Sequence, residues 1–170
     1  MSGYYRFPTI NNSKIVFVAD DDLWIVKLDN PIAYRLTTNL SEISSPLFSP
    51  DGKTIAYIGT EDGNSEVYIM PSDGGPSKRL TYDGAFASKI CAWDNDDIIF
   101  ATDLSQPFGR VSNLAKINKK GGPTSLLDYG ISSNISFGNP GIVIGRNTSD
   151  PARWKRYKGG TAGEVWISND

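Results

Sequence analysis

The sequence predicts an all-β protein: a β-propeller of four-stranded antiparallel blades, with about three and three-quarter blades present. Short stretches of β-branched and aromatic residues alternate with turns along a chain of 170 residues that contains 17 glycines and 10 prolines. The triplet Arg-Leu-Thr occurs at 35–37 and again at 79–81, a spacing of 44 residues. Four short strands in about 44 residues are typical of a propeller blade. An all-β sandwich also uses many short strands, but it leaves the repeated triplet unexplained.

The clearest repeat unit begins at the turn Ser49-Pro50-Asp51-Gly52. Proline presets φ for a turn, aspartate hydrogen-bonds the local backbone, and glycine accepts a positive φ. Apolar, β-branched and aromatic residues follow at 54–58, which predicts a half-buried strand. The turn therefore marks where the second strand of a blade begins.

Each of the first three units is predicted to contain four strands, and the fourth unit three. The predicted strands cover 4–10, 14–19, 23–28 and 33–37; then 45–49, 54–58, 66–71 and 77–81; then 89–93, 98–101, 114–117 and 124–127; and finally 134–137, 141–145 and 163–167. The corresponding blades extend over residues 1–40, 41–84, 85–130 and 131–170, the last one incomplete. Blades are stabilised by burying their faces against neighbours, and unpaired strand edges promote aggregation. We therefore expect the N-terminal part of a longer chain, a partial propeller without a catalytic domain.

Composition excludes several classes of function. The formal net charge of −2 gives no electrostatic reason to bind nucleic acid or an anionic membrane. The sequence has no histidine, so it cannot by itself form a Ser-His-Asp site, a Cys-His site or a His-containing zinc site. The single cysteine excludes an internal disulfide, and no apolar run approaches the ~20 residues of a membrane span. We expect a cytoplasmic protein with no cofactor and no metal site.

Cationic residues in and beside the two long loops are the candidate channel or subunit-contact residues. The loop at 102–113 is longer than a hairpin needs, and long loops in compact domains are often functional. The stretch 154–158 mixes aromatic and cationic side chains. It fits a packed loop with solvated cations, a channel wall or subunit contact that attracts carboxylates, or a single-stranded nucleic acid site, which the overall acidity disfavours. The candidates are Arg110, Arg146, Arg153, Lys155, Arg156 and Lys158.

Other conspicuous residues are interpreted as structural. The run at 20–22 offers three carboxylates for Ca²⁺, but it lacks the spacing of an EF-hand and is predicted to be a solvated hairpin turn. Cys91 lies within an apolar strand and is predicted to be a buried, unreactive thiol. Trp24, Trp93 and Trp166 fall at strand positions and are predicted to belong to the core between blades.

Residues 49–57, Ser-Pro-Asp-Gly-Lys-Thr-Ile-Ala-Tyr, are similar to the WD40-like repeat of TolB-type and oligopeptidase propellers. Three further stretches, at 21–24, 101–108 and 143–167, resemble in the same order the opening of the tricorn core protease family. They include Asp-Asp-Leu-Trp, Ala-Thr-Asp-Leu-Ser-Gln-Pro-Phe and Val-Ile-Gly-Arg-Asn-Thr. The resemblance covers almost the whole chain. The two long loops make it specific, because no general propeller rule requires them.

The resemblance implies the first part of a six-bladed N-terminal propeller. Tricorn proteins are large cytoplasmic serine peptidases, hydrolases of archaea and some bacteria, with a second propeller, a PDZ-like module and catalytic Ser, His and Glu residues further along the chain. The family's implied role is proteolysis of oligopeptides released by the proteasome, in a hexamer whose first propeller serves as a channel or filter. The implied partners are the rest of the parent chain, further copies of it and peptides in transit, with no nucleic acid and no membrane.

One departure and two alternatives accompany the resemblance. The family places paired arginines in the loop before the third blade, where they hold a substrate's C-terminal carboxylate. In this chain Lys89 is the only cationic residue at 82–89, so no anchoring role is transferred to Lys89. The first alternative is a TolB-like propeller that acts as a protein-binding scaffold module. The second is the propeller of an oligopeptidase with an α/β-hydrolase domain, which a Gly-x-Ser-x-Gly motif further along the chain would indicate.

Overall fold

The computed structural model describes residues 3–38, 40–109, 111–139, 141–146 and 162–168. Within these ranges the chain forms β-strands joined by turns and loops and contains no helix. None of this described part is therefore a helix long and apolar enough to cross a membrane. The predicted all-β class is confirmed.

The described strands form four antiparallel sheets in which chain neighbours are sheet neighbours. Sheet 1 contains β1 (Arg6–Asn11), β2 (Lys14–Ala19), β3 (Asp22–Lys27) and β4 (Asn30–Arg35). Sheet 2 contains β5 (Ile43–Phe48), β6 (Thr54–Gly59), β7 (Glu66–Pro71) and β8 (Lys78–Arg79). Sheet 3 contains β9 (Ser88–Asp94), β10 (Asp97–Thr102), β11 (Asn113–Asn118) and β12 (Ser125–Ile131). Sheet 4 contains β13 (Asn134–Phe137), β14 (Ile142–Arg146) and β15 (Glu164–Ser168).

The first strands of successive sheets lie next to one another, β1 against β5, β5 against β9 and β9 against β13. The fourth strands lie on the outside, and all six residues of β4 are exposed. This arrangement is an arc of propeller blades with the first strands along its inner side. The first strand is an edge strand, which explains why Pro8 and Pro46 are accommodated there at irregularities of the β1–β2 and β5–β6 register.

Side chains alternate between the two faces of each central strand, and both faces are covered in sheet 2. Ile55 and Tyr57 of β6 pack toward sheet 1, whereas Ala56 and Ile58 pack toward sheet 3. This is the period of two expected for a strand, here with apolar residues on both faces because both neighbours are sheets. A third apolar cluster lies between sheets 3 and 4 and includes Leu114 and Ile144.

The turn at Ser49 has the predicted conformation. The Ser49 hydroxyl and the Lys53 N–H both donate to an Asp51 carboxylate oxygen, at 2.6 and 3.0 Å. Gly52 has a φ of 68°, and a Cβ atom there would lie 2.5 Å from the Asn11 Oδ1 atom. The left-handed backbone favours glycine here, and a larger residue would also have to displace the Asn11 side chain of sheet 1.

Three sequence interpretations need correction. Asp22 is not part of a solvated turn but begins β3 with only 1% of its surface exposed, whereas Asp20 and Asp21 are exposed. Trp93 packs between sheets 2 and 3 as predicted. Trp24 instead lies on the face of sheet 1 that points away from sheet 2, and Trp166 is 53% exposed. No described sheet covers Trp24, whereas Trp166 lies on the same face of sheet 4 as its cross-strand partner Ile144, toward sheet 3, and is only partly covered there.

Candidate functional site

The most elaborate polar cluster surrounds the Glu66 carboxylate at the start of β7. Its side chain is 1% exposed and accepts hydrogen bonds from the Thr81 hydroxyl, from the Arg79 guanidinium at 3.0 Å, and from the backbone N–H groups of Asp83 and Gly84 at 3.1 and 2.9 Å. The Thr81 hydroxyl in turn accepts the N–H of Val67 at 2.8 Å. One carboxylate therefore fixes the end of the fourth strand and the loop that leads to the next blade.

The electrostatics of Glu66 follow from these contacts. Burial by itself raises the pKa of the Glu66 carboxyl. The hydrogen bonds from Thr81, the two loop N–H groups and Arg79 outweigh burial and hold the pKa below its usual range. Arg79 also packs over the Tyr82 ring at 4.3 Å and pairs with Asp62. The group is a paired, ionised structural carboxylate and not a proton donor.

Sheet 1 repeats the cluster with a shorter acid. Asp22 accepts hydrogen bonds from Thr37, at 2.6 Å, and from the Arg35 Nε atom, at 2.9 Å. The Leu23 N–H donates to the Thr37 hydroxyl at 2.9 Å. The repeated Arg-Leu-Thr triplet thus supplies the arginine and threonine that satisfy a buried carboxylate at the start of the third strand.

Polar side chains also line the end of the arc at which the first strands begin. The Arg6 guanidinium lies 2.7 Å from Asp21 and 2.8 Å from Glu42, which precedes β5. The Lys89 ammonium of β9 donates to the Asn134 Oδ1 atom of β13. We call Arg6, Glu42, Lys89 and Asn134 the inner rim. Sequence reasoning missed it, and the only available signal is that these residues begin, or directly precede, the first strands.

An apolar groove of about 620 Å³ lies on the face of sheet 1 that points away from sheet 2. Tyr5 and Phe17 meet there edge to face, with ring centroids 5.3 Å apart. Trp24, Val26 and Ala33 complete the apolar lining. Asp20 and Tyr4 add polar groups to the lining.

Arg146 is the one predicted channel or subunit-contact residue within the described ranges. Its Nε atom donates to the Ile131 carbonyl at 3.0 Å, and its guanidinium lies 4.2 Å from the centre of the Trp166 ring. Arg146 therefore joins sheets 3 and 4 and covers an aromatic ring. The other predicted residues, Arg110, Arg153, Lys155, Arg156 and Lys158, lie outside the described residues.

Metal and thiol chemistry receive no support from the described part of the chain. No group of three or more Cys, Asp or Glu side chains is arranged there to hold a metal ion. Cys91 packs, half-buried, against the cluster between sheets 3 and 4. Burial raises the pKa of the Cys91 thiol, which disfavours the reactive thiolate.

The comparisons with known proteins agree with this geometry. The family model described as the tricorn protease N-terminal β-propeller domain matches residues 2–170. The tricorn protease homolog of Saccharolobus solfataricus is 37% identical over 173 residues, which cover 100% of this chain but 16% of that protein. A tricorn-like protease N-terminal subunit of Sulfurisphaera tokodaii is 38% identical and is covered to 89% of its length.

Solved structures extend the comparison to the fold. The crystal structure of the tricorn protease superimposes with a TM-score of 0.86 and 31% identity, over 100% of this chain and 18% of that one. TolB from Acinetobacter baumannii superimposes with a TM-score of 0.72 at 17% identity, over 98% of this chain and 41% of that one, which shows a shared fold alone. The chain thus spans about a sixth of the first curated relative it matches. It belongs to the tricorn protease N-terminal β-propeller family.

Proposed function

We propose that this chain forms part of the wall of a peptide channel in a tricorn-type serine peptidase that degrades oligopeptides, and that it cleaves no peptide itself. The observation that carries the proposal is the inner rim, where polar side chains join sheet 1 to the residue before β5, and sheet 3 to sheet 4, on the inner side of the arc. Arg6 is held by Asp21 and Glu42, and Lys89 by Asn134. A channel wall needs polar surface of this kind.

The pairing of charges at the inner rim also favours the passage of peptides. Two carboxylates lie within 3 Å of the Arg6 guanidinium, and both distances are typical of charge-assisted hydrogen bonds. Paired charges attract peptide termini less strongly than isolated ones, because each group is already solvated by its partner. Peptides of varied sequence are therefore admitted without being trapped.

The chemical step belongs to another part of the enzyme in this proposal. The sequence contains no histidine, so a histidine-assisted serine nucleophile cannot be completed within it. The matched relatives named tricorn protease are much longer than this chain. The implied partners are the remaining propeller and catalytic domains and further copies of the enzyme.

The test is a chimaera in which residues 1–170 replace the matching segment of the Saccharolobus solfataricus homolog. We expect it to hydrolyse short fluorogenic peptides and longer oligopeptides, and the isolated chain to hydrolyse neither. Asn134→Trp should narrow the inner rim and slow turnover of oligopeptides more than that of short peptides. Ser125→Trp, on the exposed β12, is the matched control.

The outcome discriminates between a channel and a scaffold. Equal effects of the two tryptophan substitutions, or no dependence on peptide length, would contradict a channel and favour the TolB-like role of a protein-binding scaffold. Peptide hydrolysis by the purified isolated chain that is abolished by a serine protease inhibitor would contradict the non-catalytic role.

A further inference from the structure

Glu164 occupies in sheet 4 the position that Asp22 and Glu66 occupy in sheets 1 and 2. Each is the first residue of the third strand and pairs with the last residue of the second strand. The paired residues are Ala19, Gly59 and Arg146. The equivalence therefore rests on strand register as well as on sequence.

In sheets 1 and 2 the carboxylate is satisfied from the neighbouring fourth strand. The arginine comes thirteen residues after the acid and the threonine fifteen residues after it, in both sheets. The N–H group of the residue after the acid, Leu23 or Val67, donates to that threonine hydroxyl. The two sheets therefore share one recognition pattern. A carboxylate accepts hydrogen bonds from the arginine and the threonine of an Arg-aliphatic-Thr triplet at the end of the fourth strand.

Sheet 3 shows that the two halves of the pattern go together. The residue at the equivalent position of β11 is Asn113, which pairs with Thr102. Thirteen and fifteen residues further along stand Leu126 and Asp128 in β12, so the arginine and the threonine are both missing. The carboxylate and the Arg-aliphatic-Thr triplet are present together in two sheets and absent together in the third.

In sheet 4 the carboxylate is present and no described strand pairs with the outer edge of β15. Glu164 is exposed, in contrast to the 1% exposure of Asp22 and Glu66. It accepts a hydrogen bond from the Trp166 Nε1 atom at 3.1 Å. Val165 and Ile167 are 67% and 71% exposed. A strand edge with which no described strand pairs, a carboxylate and apolar side chains are therefore presented together.

We propose that the outer edge of β15 is a docking edge for an extended segment that carries an Arg-aliphatic-Thr triplet, supplied by the polypeptide that completes this propeller. The inference rests on the proposed function in naming that polypeptide, while the recognition chemistry rests on the internal repeat. Backbone hydrogen bonds along the outer edge of β15 give affinity, as in other cases of strand addition. The arginine and threonine give specificity, because they pair with Glu164 as Arg79 and Thr81 pair with Glu66.

The test uses the synthetic peptide Pro-Ser-Lys-Arg-Leu-Thr-Tyr-Asp, which reproduces residues 76–83. Binding to the full chain is measured by fluorescence anisotropy of the labelled peptide, and the binding site by amide hydrogen exchange. We expect slower exchange along residues 164–168, including the Val165 N–H. Replacing the peptide threonine by valine should remove the protection of Val165, because the hydroxyl that accepts its N–H is lost.

A double-mutant cycle tests whether Glu164 pairs with the peptide arginine. Glu164→Gln and the replacement of the peptide arginine by glutamine should each weaken binding about tenfold, and together by less than the product, because both remove the same charge-assisted contact. Glu61→Gln, at an exposed glutamate in the β6–β7 loop, should leave binding unchanged. Multiplicative effects of the two changes, protection elsewhere in the chain, or no binding at millimolar peptide would overturn the proposal. These readouts require no peptidase activity, so the channel role can fail without affecting them.

Discussion

Sheets 2 and 4 place the same acidic residue at the same position in opposite environments. Glu66 is enclosed by hydrogen bonds from a threonine, an arginine and two backbone N–H groups. Glu164 is exposed and accepts a hydrogen bond from the Trp166 Nε1 atom. The strand register around the two residues is equivalent. The difference is the presence of the fourth strand, β8, next to β7.

The comparison shows that burial of the carboxylate is a property of the completed blade. A buried carboxylate is costly unless it is paired and hydrogen-bonded. The fourth strand brings both partners and covers the carboxylate at the same time. In a blade without that strand the carboxylate stays exposed to water and carries no desolvation penalty.

The largest expected effect comes from removing the acid in the completed sheet. Glu66→Ala should lower the free energy of unfolding by about 3–5 kcal/mol, since it leaves Arg79 without its buried partner and two loop N–H groups without an acceptor. The change in unfolding free energy is measured by urea denaturation at pH 7, monitored by circular dichroism. Glu61→Ala, at an exposed glutamate, is the control and should change stability by less than about 0.5 kcal/mol. A loss below about 1 kcal/mol for Glu66→Ala would show that the cluster does not stabilise the fold.

The threonine of the cluster should have the next largest effect. Thr81→Val removes a hydroxyl that accepts the Val67 N–H and donates to Glu66, so it should cost about 1–3 kcal/mol. Thr37→Val in sheet 1 should behave in the same way. Thr81→Ser retains the hydroxyl and should recover most of the loss in the same urea experiment. A loss for Thr81→Ser as large as that for Thr81→Val would contradict the stabilising role of the hydroxyl.

Acid should weaken the cluster less than truncation does, because a protonated glutamic acid keeps its packing. The pKa of Glu66 is held below its ordinary value of 4.5, so its contribution to stability is complete above that pH and is lost as the pH falls through the folded-state pKa. The difference in unfolding free energy between the natural chain and Glu66→Gln should therefore shrink as the pH falls below about 4.5. A difference that stays constant from pH 7 to pH 3 would contradict the lowered pKa.

The smallest effect is expected at the open sheet. Glu164→Ala should change the unfolding free energy by less than about 0.5 kcal/mol, because the side chain is exposed. The same substitution should become costly when a fourth strand is bound at β15. Thermal unfolding with and without the Arg-Leu-Thr peptide measures both states. A large loss without peptide would remove the contrast between the two sheets.

Much of the fold could be predicted from the sequence. The bounds of β2, β7 and β13 agree with the predicted strands, and the turn at Ser49 has the predicted conformation. These features depend on neighbouring residues, through alternation and turn chemistry. The predicted strand at 77–81 is shorter, with only Lys78 and Arg79 in β8, because the Val67 N–H donates to the Thr81 hydroxyl and not to a backbone carbonyl of that strand.

The candidate site was less predictable. Asp22 looked like the last residue of a solvated acidic turn, and its burial depends on Arg35 and Thr37, thirteen and fifteen residues away. The inner rim was not anticipated, because its contacts join residues of different blades, such as Lys89 and Asn134. Of the cations predicted to serve as channel or contact residues, Arg146 is the one the described chain places, and it bridges sheets 3 and 4.

The sequence by itself determined the repeat, the order of the strands and the position of the acid and the Arg-Leu-Thr triplet in the first two units. These are local patterns that each segment carries wherever it is placed. Only the tertiary structure decided which acids are buried and which sheet faces are covered. Burial requires a partner strand and a neighbouring sheet, and for Glu66 both are present, whereas for Glu164 no described strand provides the first.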